Sequence, residues 1–218
     1  FKDKIAAGDP VSDPLCAGNS NGTCSQNINV DEAVTRGLEL AASWNFAPAW
    51  TLSGNYTYTD SEQKSGNDKG APLTNTPAHL ANAKLNWQTT DSLNLWLKAE
   101  YRGERARFTS KYENLDDNGR YTTNQSIWDT LGRNTEAYTL LHLGGSFKAT
   151  ENLTLNATIY NLLDKEFNKG KAYTTYSYNS GVLTTGTAYG TDYANFGQST
   201  TGTVQEGRRL WVSATFDF

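Results

Sequence analysis

Long apolar runs are missing from this 218-residue chain, methionine is absent, and histidine and cysteine occur twice each. Apolar stretches such as Leu38-Glu39-Leu40-Ala41-Ala42 fall far short of the ~20 residues of a membrane-spanning helix, which excludes a helical membrane protein. With His79 and His142 as the only histidines, no Ser-His-Asp set, His-rich metal cluster or glycine-rich phosphate loop can be assembled. A barrel hydrolase would need a nucleophile–histidine pair at strand ends, and none is found. Carboxylate pairs such as Asp116-Asp117 lie in polar surroundings and read as solvated faces. We therefore expect no enzyme, no resident cofactor and no bound metal. A net charge of −4 gives no electrostatic reason to expect nucleic acid as a partner.

Two further absences concern processing and compartment. The chain opens in what reads as mid-strand, Phe1-Lys2-Asp3-Lys4-Ile5, with no basic region followed by an apolar core. That predicts no signal peptide here and a portion of a longer protein. Cys16 and Cys24 sit in a segment rich in Gly, Asn, Ser and Asp, with no histidine or third cysteine nearby. A local disulfide closing a small loop is expected rather than metal ligation, and it implies an oxidising compartment.

What is present is aromatic residues, Gly, Asn and Thr, the mixture of β-structure with polar connections. Period-two alternation places successive side chains on opposite faces. Leu93, Leu95, Leu97, Ala99 and Tyr101 oppose Asn94, Trp96, Lys98, Glu100 and Arg102. Leu38, Leu40, Ala42, Trp44 and Phe46 oppose Gly37, Glu39, Ala41, Ser43 and Asn45. Segments 50–59, 80–87, 141–147, 152–160 and 209–218 repeat the pattern, and with the first residues they predict eight strands.

Soluble sandwiches also alternate, so connection lengths must decide. Short links at 47–49, 89–91 and 149–151 take turns with long ones at 7–29, 61–78, 105–134 and 162–205. Several such long loops at one end are uncommon in compact soluble domains, whereas outer-membrane barrels have short periplasmic turns and long extracellular loops. Trp44, Phe46, Trp50, Trp87 and Phe147 flank the short turns and predict an interfacial girdle. The opposite faces carry Glu39, Lys84, Trp96, Lys98, Glu100, Arg102, Tyr160 and Arg209, too bulky and polar a set for the bore of an eight-strand barrel. The fold expected is an all-β transmembrane antiparallel barrel, with residues 1–218 forming one arc of a wider wall.

Four segments, in order, resemble the C-terminal strands of TonB-dependent outer-membrane receptors. They are Val34-Thr35-Arg36-Gly37-Leu38-Glu39, then Leu52 to Tyr58 with Asn75-Thr76-Pro77-Ala78-His79, then Ile159-Tyr160-Asn161-Leu162-Leu163-Asp164-Lys165-Glu166-Phe167, and finally Glu206-Gly207-Arg208-Arg209 through Phe218. The last run and the two-cysteine loop look most similar to receptors for ferric catecholates, the enterobactin type. The resemblance implies a barrel of about 22 strands around a globular plug, a ferric siderophore as transported ligand, and energy from the TonB complex acting through an N-terminal region. It further implies an outer-membrane location, contact with lipid and lipopolysaccharide, and assembly by the barrel machinery reading Phe216 and Phe218. Whether bacteriocins or phages use the loops is left open. The competing expectation is an autonomous small outer-membrane barrel acting as adhesin or structural protein.

A ferric catecholate is a compact trianion with exposed rings, so its site needs cations and aromatic faces. Arg105, Arg107, Tyr112, Tyr173, Tyr176 and Tyr178 are the loop candidates for ligand capture. The competing role for these side chains is to pack loops together or meet lipopolysaccharide phosphates.

Overall fold

The structure is a computed structural model, and it describes residues 2–12, 23–65, 69–107, 115–116, 118–179, 181–193 and 206–217. Eight strands form one antiparallel sheet: β1 (Lys2–Ser12), β2 (Thr23–Ala47), β3 (Trp50–Gln63), β4 (His79–Gln88), β5 (Leu93–Arg102), β8 (Tyr138–Lys148), β9 (Leu153–Tyr160) and β12 (Arg209–Phe216), hydrogen-bonded in that order. Between them lie a short ribbon of β6 (Arg105–Ala106) with β7 (Asn134–Thr135), a helix α1 (Thr123–Leu131), and a hairpin of β10 (Lys171–Asn179) with β11 (Val182–Gly190). Among the described residues β1 and β12 each pair on one side only. The sheet is thus an open arc.

Register partners share a face, so the two faces can be traced strand by strand. Ala42, Gly54, Ala83, Ala99 and Leu141 align across five strands on one face. Lys84, Lys98 and His142 align on the other. The first face keeps its large apolar residues uncovered: Leu40 is 55% exposed, Trp44 66%, Leu210 66% and Val212 64%. A soluble sandwich would bury that face against a second sheet; a continuous uncovered apolar face is a lipid-facing belt. The belt ends near the short turns in linked rings, with Trp44–Phe46 at 5.5 Å, Phe46–Trp50 at 6.2 Å and Trp50 stacked on Trp87 at 4.9 Å. Phe147 stands exposed on the same face, beside the third short turn.

The polar face is filled differently. Lys98 pairs with Glu100, Lys84 stands 5.1 Å over the Trp96 ring, and Arg209 stands 4.7 Å over that of Tyr160. Gly144 makes the room for this layer, since a Cβ there would lie 2.3 Å from Cζ2 of Trp96. Trp96, Lys98, Glu100, His142, Tyr160 and Arg209 line a cavity of about 380 Å³ on this wall.

The connections differ most from expectation. The first long link shrinks to 13–22, because β1 and β2 continue pairing as far as Ser12 with Thr23. Their register slips between Ala7 and Pro10, where proline has no N–H to give the ladder. The links expected over 105–134 and 162–205 contain regular structure. Helix α1 is capped by Thr122, whose hydroxyl accepts the Gln125 N–H at 3.1 Å, and closed by Gly132 at φ 81°.

The turn after β9 explains the Asn161-Leu162-Leu163-Asp164-Lys165 run. Asn161 adopts φ 49° and is 3% exposed. Its amide donates to the carbonyls of Lys165 at 2.9 Å and Glu206 at 3.3 Å, and its side-chain oxygen accepts the Lys165 N–H at 2.8 Å. Asp164 accepts the Arg208 N–H at 2.9 Å, so one turn fastens β9 to the start of β12. Asn161→Ala loses three hydrogen bonds at a buried left-handed residue and is expected to cost about 3 kcal/mol. Asn161→Asp, keeping the acceptor, should fall between. The unfolding midpoint of the detergent-solubilised receptor checks this, and an unchanged midpoint in Asn161→Ala contradicts it.

Candidate functional site

The segments joining β3 to β4, β5 to β8 and β9 to β12 meet at the end of the sheet opposite the short turns, and two arginines hold them there. Arg105 donates through Nη1 to Oδ1 of Asn75 at 2.6 Å, through Nη2 to the Tyr193 carbonyl at 2.7 Å and through Nε to the Thr135 hydroxyl at 3.3 Å. Arg107 donates to the carbonyls of Asn134 at 3.2 Å, Thr191 at 3.0 Å and Asp192 at 2.9 Å. Arg107 is 3% exposed and Arg105 half-buried. Burial lowers both guanidinium groups from their usual value, and for Arg105 the nearby Arg102 charge adds to this. Both remain cations at neutral pH.

Main-chain bonds complete the join. The Asn75 N–H donates to the Ala106 carbonyl at 3.2 Å, and the Glu136 N–H to that of Asp192 at 2.7 Å. Asp192 also holds the Lys171 ammonium at 2.7 Å, which raises the lysine's pKa from its usual value. Beneath the join lies the described apolar core: Tyr138, Leu140 and Phe167, with Tyr193 packed against them. The rings of Tyr138, Phe167 and Tyr193 meet edge to face with centroids 4.9–5.9 Å apart.

Helix α1 lies along β10. Its Thr123 hydroxyl accepts the Tyr176 N–H at 2.8 Å and donates to the Tyr176 carbonyl at 3.2 Å, while Ser126 accepts the Thr174 N–H at 3.0 Å. Side-chain hydroxyls thus satisfy a strand edge that would otherwise be open. At the helix's amino end the Arg120 guanidinium sits 4.2 Å over the Tyr178 ring, and Tyr121 meets Tyr176 edge-on at 5.1 Å. The Tyr178 hydroxyl donates to the Tyr121 carbonyl at 3.1 Å. This leaves a cation and three tyrosine rings together at the surface.

Of the sequence candidates, Tyr176 and Tyr178 meet in this corner, and Tyr173 lies on the same strand, its ring beside Gly190. Arg105 and Arg107 stand apart, bonded to main-chain carbonyls and, for Arg105, also to the Asn75 and Thr135 side chains. Tyr112, Cys16 and Phe218 lie outside the described residues. Cys24 is half-buried in β2, opposite Val11, and Phe216 pairs with Leu153 with an exposed ring. Arg120 and Tyr121 join the corner although the six chosen candidates omitted them. The i, i+4 pair Ile127 and Leu131, with Thr122 and Gly132 around them, was the signal for the helix that places them. Among the described residues no group of three or more His, Cys, Asp or Glu could hold a metal.

Residues 1–162 match the family described as TonB dependent receptor-like, beta-barrel. The chain belongs to the TonB-dependent receptor β-barrel family. A relative named iron-regulated outer membrane virulence protein, from Vibrio cholerae, is 37% identical over 183 residues, covering 82% of this chain and 24% of that protein. A ferric enterobactin receptor from Pseudomonas aeruginosa is 30% identical over 176 residues, covering 79% and 22%. A solved structure of a ferric enterobactin receptor mutant from the same organism, in complex with enterobactin, superposes with a TM-score of 0.64 at 27% identity, covering all of this chain and 28% of that one. This chain thus spans about a quarter of the length of the TonB-dependent receptors it matches. As members of the family do, it resides in the bacterial outer membrane as a β-barrel wall.

The Arg120 corner is braced by Asp116, whose carboxylate accepts the backbone N–H groups of Arg120 at 2.8 Å and Asn118 at 2.9 Å and the Arg120 Nε at 2.6 Å. The Arg120 backbone N–H is the largest cause holding this carboxyl below its usual 3.8. A lowered folded pKa means that the brace is fully present above 3.8 and lost as pH falls through the lowered value. Protection of the Asn118 and Arg120 amides, taken as exchange relative to the intrinsic base-catalysed rate at each pH, should therefore hold above about pH 4 and fall only below it. Loss of protection between pH 5 and 7 would contradict the assignment.

Proposed function

We propose that this chain is part of an outer-membrane receptor for TonB-dependent uptake of ferric siderophores of the catecholate type, and that its surface segments contribute to ligand capture. The observation that carries the reading is the corner of Arg120, Tyr121, Tyr176 and Tyr178, placed on a sheet whose relatives include a ferric enterobactin receptor. A catecholate complex offers delocalised anionic oxygens and ring faces. A guanidinium already held over a tyrosine ring matches both, because a planar cation beside a ring face has further N–H donors for oxygen.

Tyr173 and Tyr112 are further candidates for ligand contact. Arg105 and Arg107 add positive charge at this end of the sheet while their donors hold the segments together. The siderophore is cargo, so no resident cofactor is involved. Energy would come from the TonB complex through parts of the receptor beyond this chain. The exposed apolar face meets lipid, the rim meets lipopolysaccharide, and Phe216 with Phe218 supplies the strand-end signal for barrel assembly. A Cys16–Cys24 disulfide would staple the tip joining β1 to β2. Bacteriocins and phages would meet the same outer surface.

Titration of ferric enterobactin against full-length receptor carrying Tyr176→Ala with Tyr178→Ala tests the reading. Loss of two stacking faces should weaken binding by about tenfold or more. Arg120→Ala should weaken it similarly, and Arg120→Lys should restore little, since an ammonium lacks the planar fork. Unchanged affinity in all three would remove this corner from the binding surface.

A further inference from the structure

Arg105 and Arg107 reach every one of the three segments at this end of the sheet. Arg105 bridges Asn75 of the β3–β4 connection to Tyr193 of the β9–β12 connection from its own place between β5 and β8. Two residues on, Arg107 spans Asn134 on one side and Thr191 with Asp192 on the other. Four of these acceptors are main-chain carbonyls and Asn75 accepts through its side-chain Oδ1, so the clasp holds mainly backbone. A guanidinium suits the task because its rigid fork can bond carbonyls from two chains at once. Asn75, at φ 63°, returns a backbone bond to Ala106 between the two arginines. Three loops that could have moved separately share one set of bonds.

We propose that Arg105 and Arg107 are positioning residues that weld the described parts of the three connections into a single collar, so that loosening one loosens the others. Packing supports it. The Tyr138–Phe167–Tyr193 cluster draws one ring from β8 and two from the β9–β12 connection, and Lys165 caps Tyr193 at 4.8 Å. Glu136, next to Thr135 of the ribbon, accepts the Tyr193 hydroxyl at 3.3 Å. Displacing the 191–193 backbone would uncover these rings and take the Thr191 and Asp192 carbonyls from the buried Arg107 and the Tyr193 carbonyl from Arg105, which is costly for charged donors. Hence the collar should respond to any one contact as a whole. The aromatic corner on α1 and β10 rides on it, since α1 lies between β6 and β7 in the chain and β10 follows Phe167. The collar does not depend on which ligand is captured.

The experiment is amide hydrogen exchange on the full-length receptor in detergent, without ligand. The Leu73 amide, in the β3–β4 connection, donates to the Ser61 hydroxyl at 3.2 Å and is the reporter for that connection. In Arg107→Ala a single collar predicts faster exchange at Leu73 by about tenfold or more, together with Glu136. Should that variant fail to fold, Asn75→Ala supplies the reciprocal readout at the Glu136 amide, with the same expected acceleration. Arg107→Lys should behave like Arg107→Ala, because one ammonium cannot replace the fork. Acceleration confined to 133–136 and 190–193 in Arg107→Ala, or to 74–76 and 105–106 in Asn75→Ala, would overturn the collar and leave three independent loops. Ferric enterobactin affinity in the same variants separates the readings: a coupled collar with unchanged affinity would speak against the ligand, not the collar.

Discussion

In hydrocarbon no water is at hand to bond a free main-chain N–H or C=O, so a chain that crosses the membrane must satisfy those groups within the protein. A β wall does so through its ladder, and this chain carries one ladder unbroken from β1 to β12. Everything else is set by that ladder. Its period of two leaves one row of side chains for lipid and one for the interior, and a shift by one residue would put Lys98 and Glu100 into the bilayer. Its short turns leave no slack at one end, so all sequence freedom, and with it all capacity for recognition, collects at the other.

Within that frame, parity was the most legible property of the sequence. The alternation of Leu93 to Arg102 and of Leu38 to Trp44 reappears face for face in the register, because strand alternation depends on pleat alone and needs no tertiary context. The reach of β1 and β2 was less legible. Their outer halves mix Gly, Asp, Pro and Asn with scattered apolar residues, so periodicity falls silent there although the main-chain bonds continue. Helix α1 had readable caps in Thr122 and Gly132, but its turns lie in a stretch whose polarity suggested an irregular loop. The hairpin of β10 and β11 is rich in tyrosine and threonine, which were read for their chemistry rather than for strand propensity.

The candidate site was legible by residue type and illegible by arrangement. Tyr176 and Tyr178 fall beside each other as their spacing of two requires. That Arg120 would lie on Tyr178 depends on α1 docking against β10 through Thr123 and Ser126, a contact between residues some fifty positions apart. Arg105 and Arg107 show the opposite case. A sequence reader sees two cations in a loop and assigns them to an anion, whereas burial gives them carbonyls to hold. The distinction between a cation that meets the ligand and one that holds the loops is a matter of burial, and burial is settled by segments far apart in the chain.

The outward parity of the sheet can be measured directly. Single spin labels placed along β5 from Leu93 to Arg102, in full-length receptor reconstituted in lipid, would be scanned for relaxation by oxygen and by a water-soluble nickel chelate. We predict strict alternation, with oxygen favoured at positions 93, 95, 97 and 99 and the chelate favoured, or both reagents excluded, at 94, 96, 98 and 100. Equal access of the chelate to both sets, or alternation in the opposite phase, would contradict the assignment of this sheet as a membrane wall.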